Sequence, residues 1–144
     1  MGHFGVLETL WEDIYFSPNN YKAMFLKLSH TKMDIYKCSR ELALSCYSLT
    51  KKFPADERFC LVQQIRRAAL SIHLNLSEGC SRKSVPEHKR YFEISRGSVV
   101  EVDTALDIAQ ALNYSTLNEM QPTGDLIIRT FTMLSKMIDD KDAS

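Results

Sequence analysis

Seven cations crowd the middle of this chain: Arg66, Arg67, Arg82, Lys83, Lys89, Arg90 and Arg96. Gathered on one surface, such side chains neutralise phosphates, so the chemistry they offer is contact with RNA, DNA or a ribonucleoprotein. Lys89 and Arg96 are seven residues apart and so return to one helix face, with Glu93 between them. A plainer reading competes. Cations just past a helix end complement its dipole, and Glu93 can pair with Lys89 on the same helix. Aromatic platforms on which bases could stack are not interleaved with the cations, which weighs against a single-strand reading.

Catalytic chemistry finds less to work with. His3, His30, His73 and His88 are scattered. Glu101, Asp103 and Asp107 lie close together, but the carboxylates at 103 and 107 lack the Glu-x-x-His pattern of a diiron bundle. There is no glycine-rich phosphate loop and no nucleophile elbow. The expectation is a protein that is not an enzyme, with no metal, no cofactor and no evident small-molecule substrate. Cys38, Cys46, Cys60 and Cys80 show no CxxC spacing and read as reduced thiols, mostly filling the core.

The zero net charge hides an asymmetry that places the cations. From Lys51 to Arg96 there are ten Lys/Arg against five Asp/Glu, and from Gly97 to Ser144 three against eight. An anionic partner would meet the middle of the chain. A length of 144 residues suits one domain. No apolar stretch approaches a membrane span and the N-terminus does not read as a signal peptide, so the expected location is cytoplasmic, away from membranes.

Helices must position these groups, and nothing reads as a strand. Ile35, Cys38, Leu42, Ser45, Cys46 and Leu49 predict a first helix from Met33 to about Lys52, ended by Phe53-Pro54. Asp56 is a candidate N-cap for a second, running to Glu78 with Gly79 as its C-terminal cap. Its seam is Val62, Ile65, Ala69, Ile72 and Leu76, spaced 3, 4, 3 and 4. Ser84 opens a third helix, with Glu87 at capping-box spacing. Phe92, Ser95, Val99, Val102, Leu106 and Ala109 form its seam, and its end falls near Asn113-Tyr114. A fourth should start at Thr116 or Gln121 and reach Ile138 through Leu126, Ile127, Phe131 and Leu134, with Pro122 and Gly124 kinking it or delaying its start. Residues 1–32 read as an irregular extension, 33–138 as an antiparallel up-down four-helix bundle, and 139–144 as a solvated acidic tail.

Two helices carry more apolar surface than one core can use. Leu70 and Leu74 lie opposite the second helix's seam, and Ile94, Ala105, Ile108 and Leu112 form a back stripe on the third. Left exposed, these stripes imply association, so they are the expected oligomer interface. Ser71, Asn75 and Ser77 are candidates for hydrogen bonds between helices, with Asn75 fixing register.

The densest run of residues also resembles a known family. Leu49-Thr50-Lys51-Lys52-Phe53-Pro54, Gln64-Ile65-Arg66-Arg67-Ala68-Ala69-Leu70-Ser71-Ile72, then Asn75, Glu78 and Gly79, and Tyr91-Phe92-Glu93-Ile94-Ser95-Arg96-Gly97-Ser98 leading to Glu101 are similar to the four-helix-bundle proteins encoded by intervening sequences of bacterial 23S ribosomal RNA genes, also labelled S23 ribosomal proteins. The resemblance spans about Met33 to Ile138. It implies a non-enzymatic all-α bundle assembling into a homo-oligomeric ring, in known relatives a pentamer. A distant relationship to the accessory protein of diversity-generating retroelements suggests nucleic-acid binding. The chain departs from the pattern at His73, where the family usually has proline and hence a kink. It also departs at Ser77, a usual alanine, and at Pro122 and Gly124, where the family's fourth helix is continuous.

Overall fold

The computed structural model describes residues 25–143. Four long helices follow a short 3-10 turn at Ser29–Lys32: α1 (Asp34–Thr50), α2 (Leu61–Ser81), α3 (Val85–Ala111) and α4 (Leu117–Asp142), with a second 3-10 turn at Ala55–Glu57. Each helix packs on the next in sequence, and α1 closes the bundle against α4. The pairings run antiparallel: Ser39 meets His73 and Thr50 meets Arg66 across α1 and α2, while Ser45 meets Thr123 and Cys38 meets Thr130 across α1 and α4. Among the described residues there is no strand. Of the expected extension, residues 1–24 lie outside the described residues.

The seams of α2 and α3 are buried at every position expected from their spacing. In α1, Ile35, Cys38, Leu42, Cys46 and Leu49 are buried, and half-buried Ser45 shares a hydroxyl–hydroxyl hydrogen bond of 2.6 Å with Thr123. α4 departs from expectation. Ile127, Leu134 and Ile138 are buried, but Phe131 is 40% exposed and Leu126 only half-buried. Met120, Thr123 and Thr130 take core positions instead. A threonine tolerates burial when its hydroxyl is paired, and α1 supplies the partners: the Ser45 hydroxyl, and the Cys38 thiol 3.3 Å from Thr130 Oγ1.

The helix ends correct several expectations. Gly79 does not stop α2, which continues to Ser81. A Cβ there would lie 2.8 Å from Phe92 Cε1 and 2.9 Å from Tyr91 Cβ, so glycine is present for the closeness of α3 and not for a turn. Asp56 does not cap α2. It lies in the 3-10 turn, and the Glu57 carboxylate accepts from the Leu61 N–H at 3.2 Å instead. α2 also runs unbroken through His73.

Ser84 caps α3 as expected, accepting from the Glu87 N–H. Asn113 ends it with φ 60°, and the Tyr114 N–H bonds to the Ala109 carbonyl while the Asn113 N–H bonds to that of Gln110. These two bonds make a Schellman motif with asparagine in the left-handed position. Pro122 does not delay α4. Thr116 and Glu119 form a reciprocal capping box that nucleates the helix one turn ahead of the proline, and Ser115 adds a third bond to the Glu119 carboxylate. The Thr116 N–H and the Ser115 hydroxyl hold the Glu119 carboxyl below its usual range. α4 extends to Asp142, so the acidic residues after Ile138 occupy its last turns.

Candidate interaction surfaces

The seven cations fall into two groups. Arg66 is half-buried between α1 and α2: its Nε donates to Thr50 Oγ1 at 2.9 Å, its Nη2 to the Tyr47 carbonyl, and its guanidinium lies 4.7 Å from the Tyr47 ring centre. Arg82 pairs with Glu78 and Glu87, donates to the Tyr91 hydroxyl at 3.0 Å and stacks on that ring. Lys89 bridges to Asp142 at the end of α4, and that hydrogen bond holds its ammonium above the usual lysine range. Arg96 donates to Ser135 Oγ at 3.3 Å with its guanidinium 5.8 Å from the Phe131 ring centre.

These four side chains join elements of the bundle to one another. Arg67, Lys83 and Arg90 are exposed and make no such contact among the described residues. Among the described residues, four of the seven are thus engaged within the bundle and three are left to solvent.

The back stripes of α2 and α3 meet at one joint. Leu70, Leu74, Ile94, Ile108 and Leu112 are 41% to 62% exposed, and Ala105 is half-buried. Ser71 and Ser98 share a hydrogen bond of 2.8 Å across α2 and α3. Ser71 adjoins Leu70 in sequence, and Ser98 is one turn after Ile94, whose carbonyl it also bonds. The leucines of α2 and the stripe of α3 thus flank one polar joint, on the outer side of the α2/α3 pair. Asn75 does not cross to a neighbouring helix: its side-chain amide donates to the Ser71 carbonyl and hydroxyl on its own helix, steadying that joint from one side.

Two features were not anticipated. His73 reaches α1, where its Nδ1 lies 2.7 Å from Ser39 Oγ and its ring 4.5 Å from that of Tyr36, which in turn meets His30 edge-on. Burial, with Arg40 and His30 nearby, lowers the His73 pKa to about 4. The imidazole is neutral at pH 7. The second feature is a cleft of about 470 Å³ between the second half of α3 and the start of α4, lined by Asp103, Asp107, Leu106, Leu117, Met120 and Gly124 among others. Its carboxylates drew attention in the sequence only as a metal motif. Among the described residues no set of three or more His, Cys, Asp or Glu is placed to hold a metal ion.

The thiols divide as well. All four are free thiols: Cys38 and Cys46 are core residues, burial raises Cys46 to about 12, Cys80 is half-buried and Cys60 is exposed. Among the described residues no helix is long and apolar enough to cross a membrane.

A family model described as 23S rRNA-intervening sequence protein matches residues 31–136, from the first 3-10 turn into the second half of α4. The chain belongs to this family. A crystal structure of a protein with unknown function from the S23 ribosomal protein family of Bacteroides thetaiotaomicron VPI-5482 is similar to it, with a TM-score of 0.65 and 19% identity over 72% of this chain and 97% of that one. At that identity the likeness concerns the fold alone. No curated protein matches the chain in sequence.

Proposed function

We propose that this chain is a non-catalytic helical bundle whose work is association with copies of itself through the outer α2/α3 face. The observation that carries this reading is the stripe of five leucine and isoleucine side chains, each more than 40% exposed, about the Ser71–Ser98 joint. Large apolar side chains grouped and exposed in this way mark an interaction site. The resemblance of its residues to the family's pattern favours a closed ring, a homopentamer, in the cytoplasm. Light scattering after size exclusion should report a multimer of the 16.5 kDa chain. Leu70→Glu with Ile108→Glu should give a folded monomer, because two carboxylates in the centre of a dry contact would have to be desolvated. A monomeric wild type refutes the reading.

A second reading rests on Arg67, Lys83 and Arg90, which have no partner among the described residues and so remain available to phosphates. In RNA and DNA mobility shifts, three contacts per protomer predict log K falling against log salt with a slope of about −3 per protomer. Lys83→Ala with Arg90→Ala should flatten that slope by about 2. Arg82→Ala should change it far less, since Arg82 is held by Glu78 and Glu87. No complex at low salt removes this reading.

A further inference from the structure

The geometry points to head-to-tail association, in which the cleft between α3 and α4 of one copy receives the outer α2/α3 face of the next. This rests on the self-association proposed above and names the other half of the contact. Among the described residues, exposed apolar side chains line both sides of α3. The first is the α2/α3 stripe. The second follows the α3/α4 groove, where Val100, Leu117, Ile128 and Phe131 are 40% to 65% exposed. Arg96 fixes its position: the guanidinium reaches Ser135 and Phe131 across the groove, Val100 is one turn further along α3, and Ile128 is one turn before Phe131.

Symmetry and charge then decide the pairing. If the α2/α3 face met its own copy, the contact would be isologous, would close as a dimer, and would leave the second apolar face in water. A heterologous contact covers both faces on every protomer of a closed ring. The signs of charge agree. The α2/α3 face carries the unpartnered Arg67 and Arg90, with Glu101 on the same stripe of α3, and Lys83 lies at its end. The cleft carries Asp103 and Asp107 and has no cation in its lining. Face on face would oppose like charges, whereas face on cleft sets arginine beside aspartate. The cleft also has room: a Cβ on Gly124 would meet no atom within 4 Å, so its wall can admit a side chain such as Leu74, which is 62% exposed.

The test uses two full-length variants, each with one face disabled. Arg67→Glu with Leu74→Glu spoils the α2/α3 face and leaves the cleft intact. Asp103→Lys with Asp107→Lys spoils the cleft and leaves the face intact. All four positions are exposed, so each variant should keep the wild-type helix content, which circular dichroism checks. Gly124→Phe blocks the same cleft without altering its charge and should behave as the lysine variant does. By light scattering each variant alone should be monomeric, while an equimolar mixture of the first with Gly124→Phe should give a heterodimer of twice 16.5 kDa and nothing larger, because the blocked cleft still sets Asp103 and Asp107 against the introduced glutamates and one working junction remains. If both cleft variants assemble as the wild type does, or if the mixture stays monomeric, head-to-tail pairing is overturned while self-association of the wild type stands. A monomeric wild type overturns the self-association itself.

Discussion

Gly79→Val is expected to lower the unfolding free energy by about 3 kcal/mol, seen as a lower urea midpoint at unchanged slope. The glycine is within α2, where it forgoes roughly 0.5–1 kcal/mol of helix propensity relative to alanine. What it permits is the approach of α3, because Phe92 Cδ1 and Cε1 and Tyr91 Cβ all lie within 3.0 Å of where a Cβ would stand. Phe92 is 2% exposed and has no solvent to retreat into, and Tyr91 Cβ moves only with its backbone. Overpacking at such a point forces rotamers and helix axes to shift. Phe92→Ala alone should cost about 3–5 kcal/mol by leaving a cavity. Combined with Gly79→Val it should cost clearly less than the sum, since valine then fills part of the space. Additive losses in the double-mutant cycle would show that the two residues do not share one contact.

The second large effect is on acid stability. The ordinary histidine pKa is 6.5, and burial, then Arg40 and His30, hold folded His73 at about 4. Between those values the unfolded chain binds a proton that the folded chain refuses, so stability falls as pH falls through that window and is unaffected by this group above it. The loss by pH 4 should be about 2 kcal/mol, reduced from roughly 3 because the ring is partly open to solvent. Glutamine can keep the bond to Ser39 without titrating, so His73→Gln should remove that share of the slope in denaturation measured from pH 7 to 4. Parallel losses in wild type and variant would assign the acid sensitivity elsewhere.

What could be read without coordinates was periodic information. The seams of α2 and α3 recur over many turns, so each position supports the others, and the same angular count exposed the stripe of Leu70, Leu74, Ile94, Ile108 and Leu112. Ser84 was readable because a cap and its partner are three residues apart. What failed depended on contacts distant in sequence. Whether glycine at 79 ends a helix or admits a ring depends on Phe92, and whether threonine at 123 or 130 belongs in a core depends on Ser45 and Cys38. Which of the basic residues are tied into the bundle was illegible for the same reason. Tyr47, Ser135 and Asp142 lie 19 to 53 residues from the cations they engage, and no spacing rule links them.

Pro122 carries a consequence for the cleft. Without an N–H it cannot bond to the Asn118 carbonyl, so the first turn of α4 is tied to the rest of the helix by one backbone bond fewer. The Thr116–Glu119 cap keeps that turn formed on its own account. Cooperative opening therefore has a natural boundary at the proline. Residues 117–121 include Leu117, Met120 and Gln121 of the cleft wall, so amide exchange there is expected to run ahead of that in the body of α4.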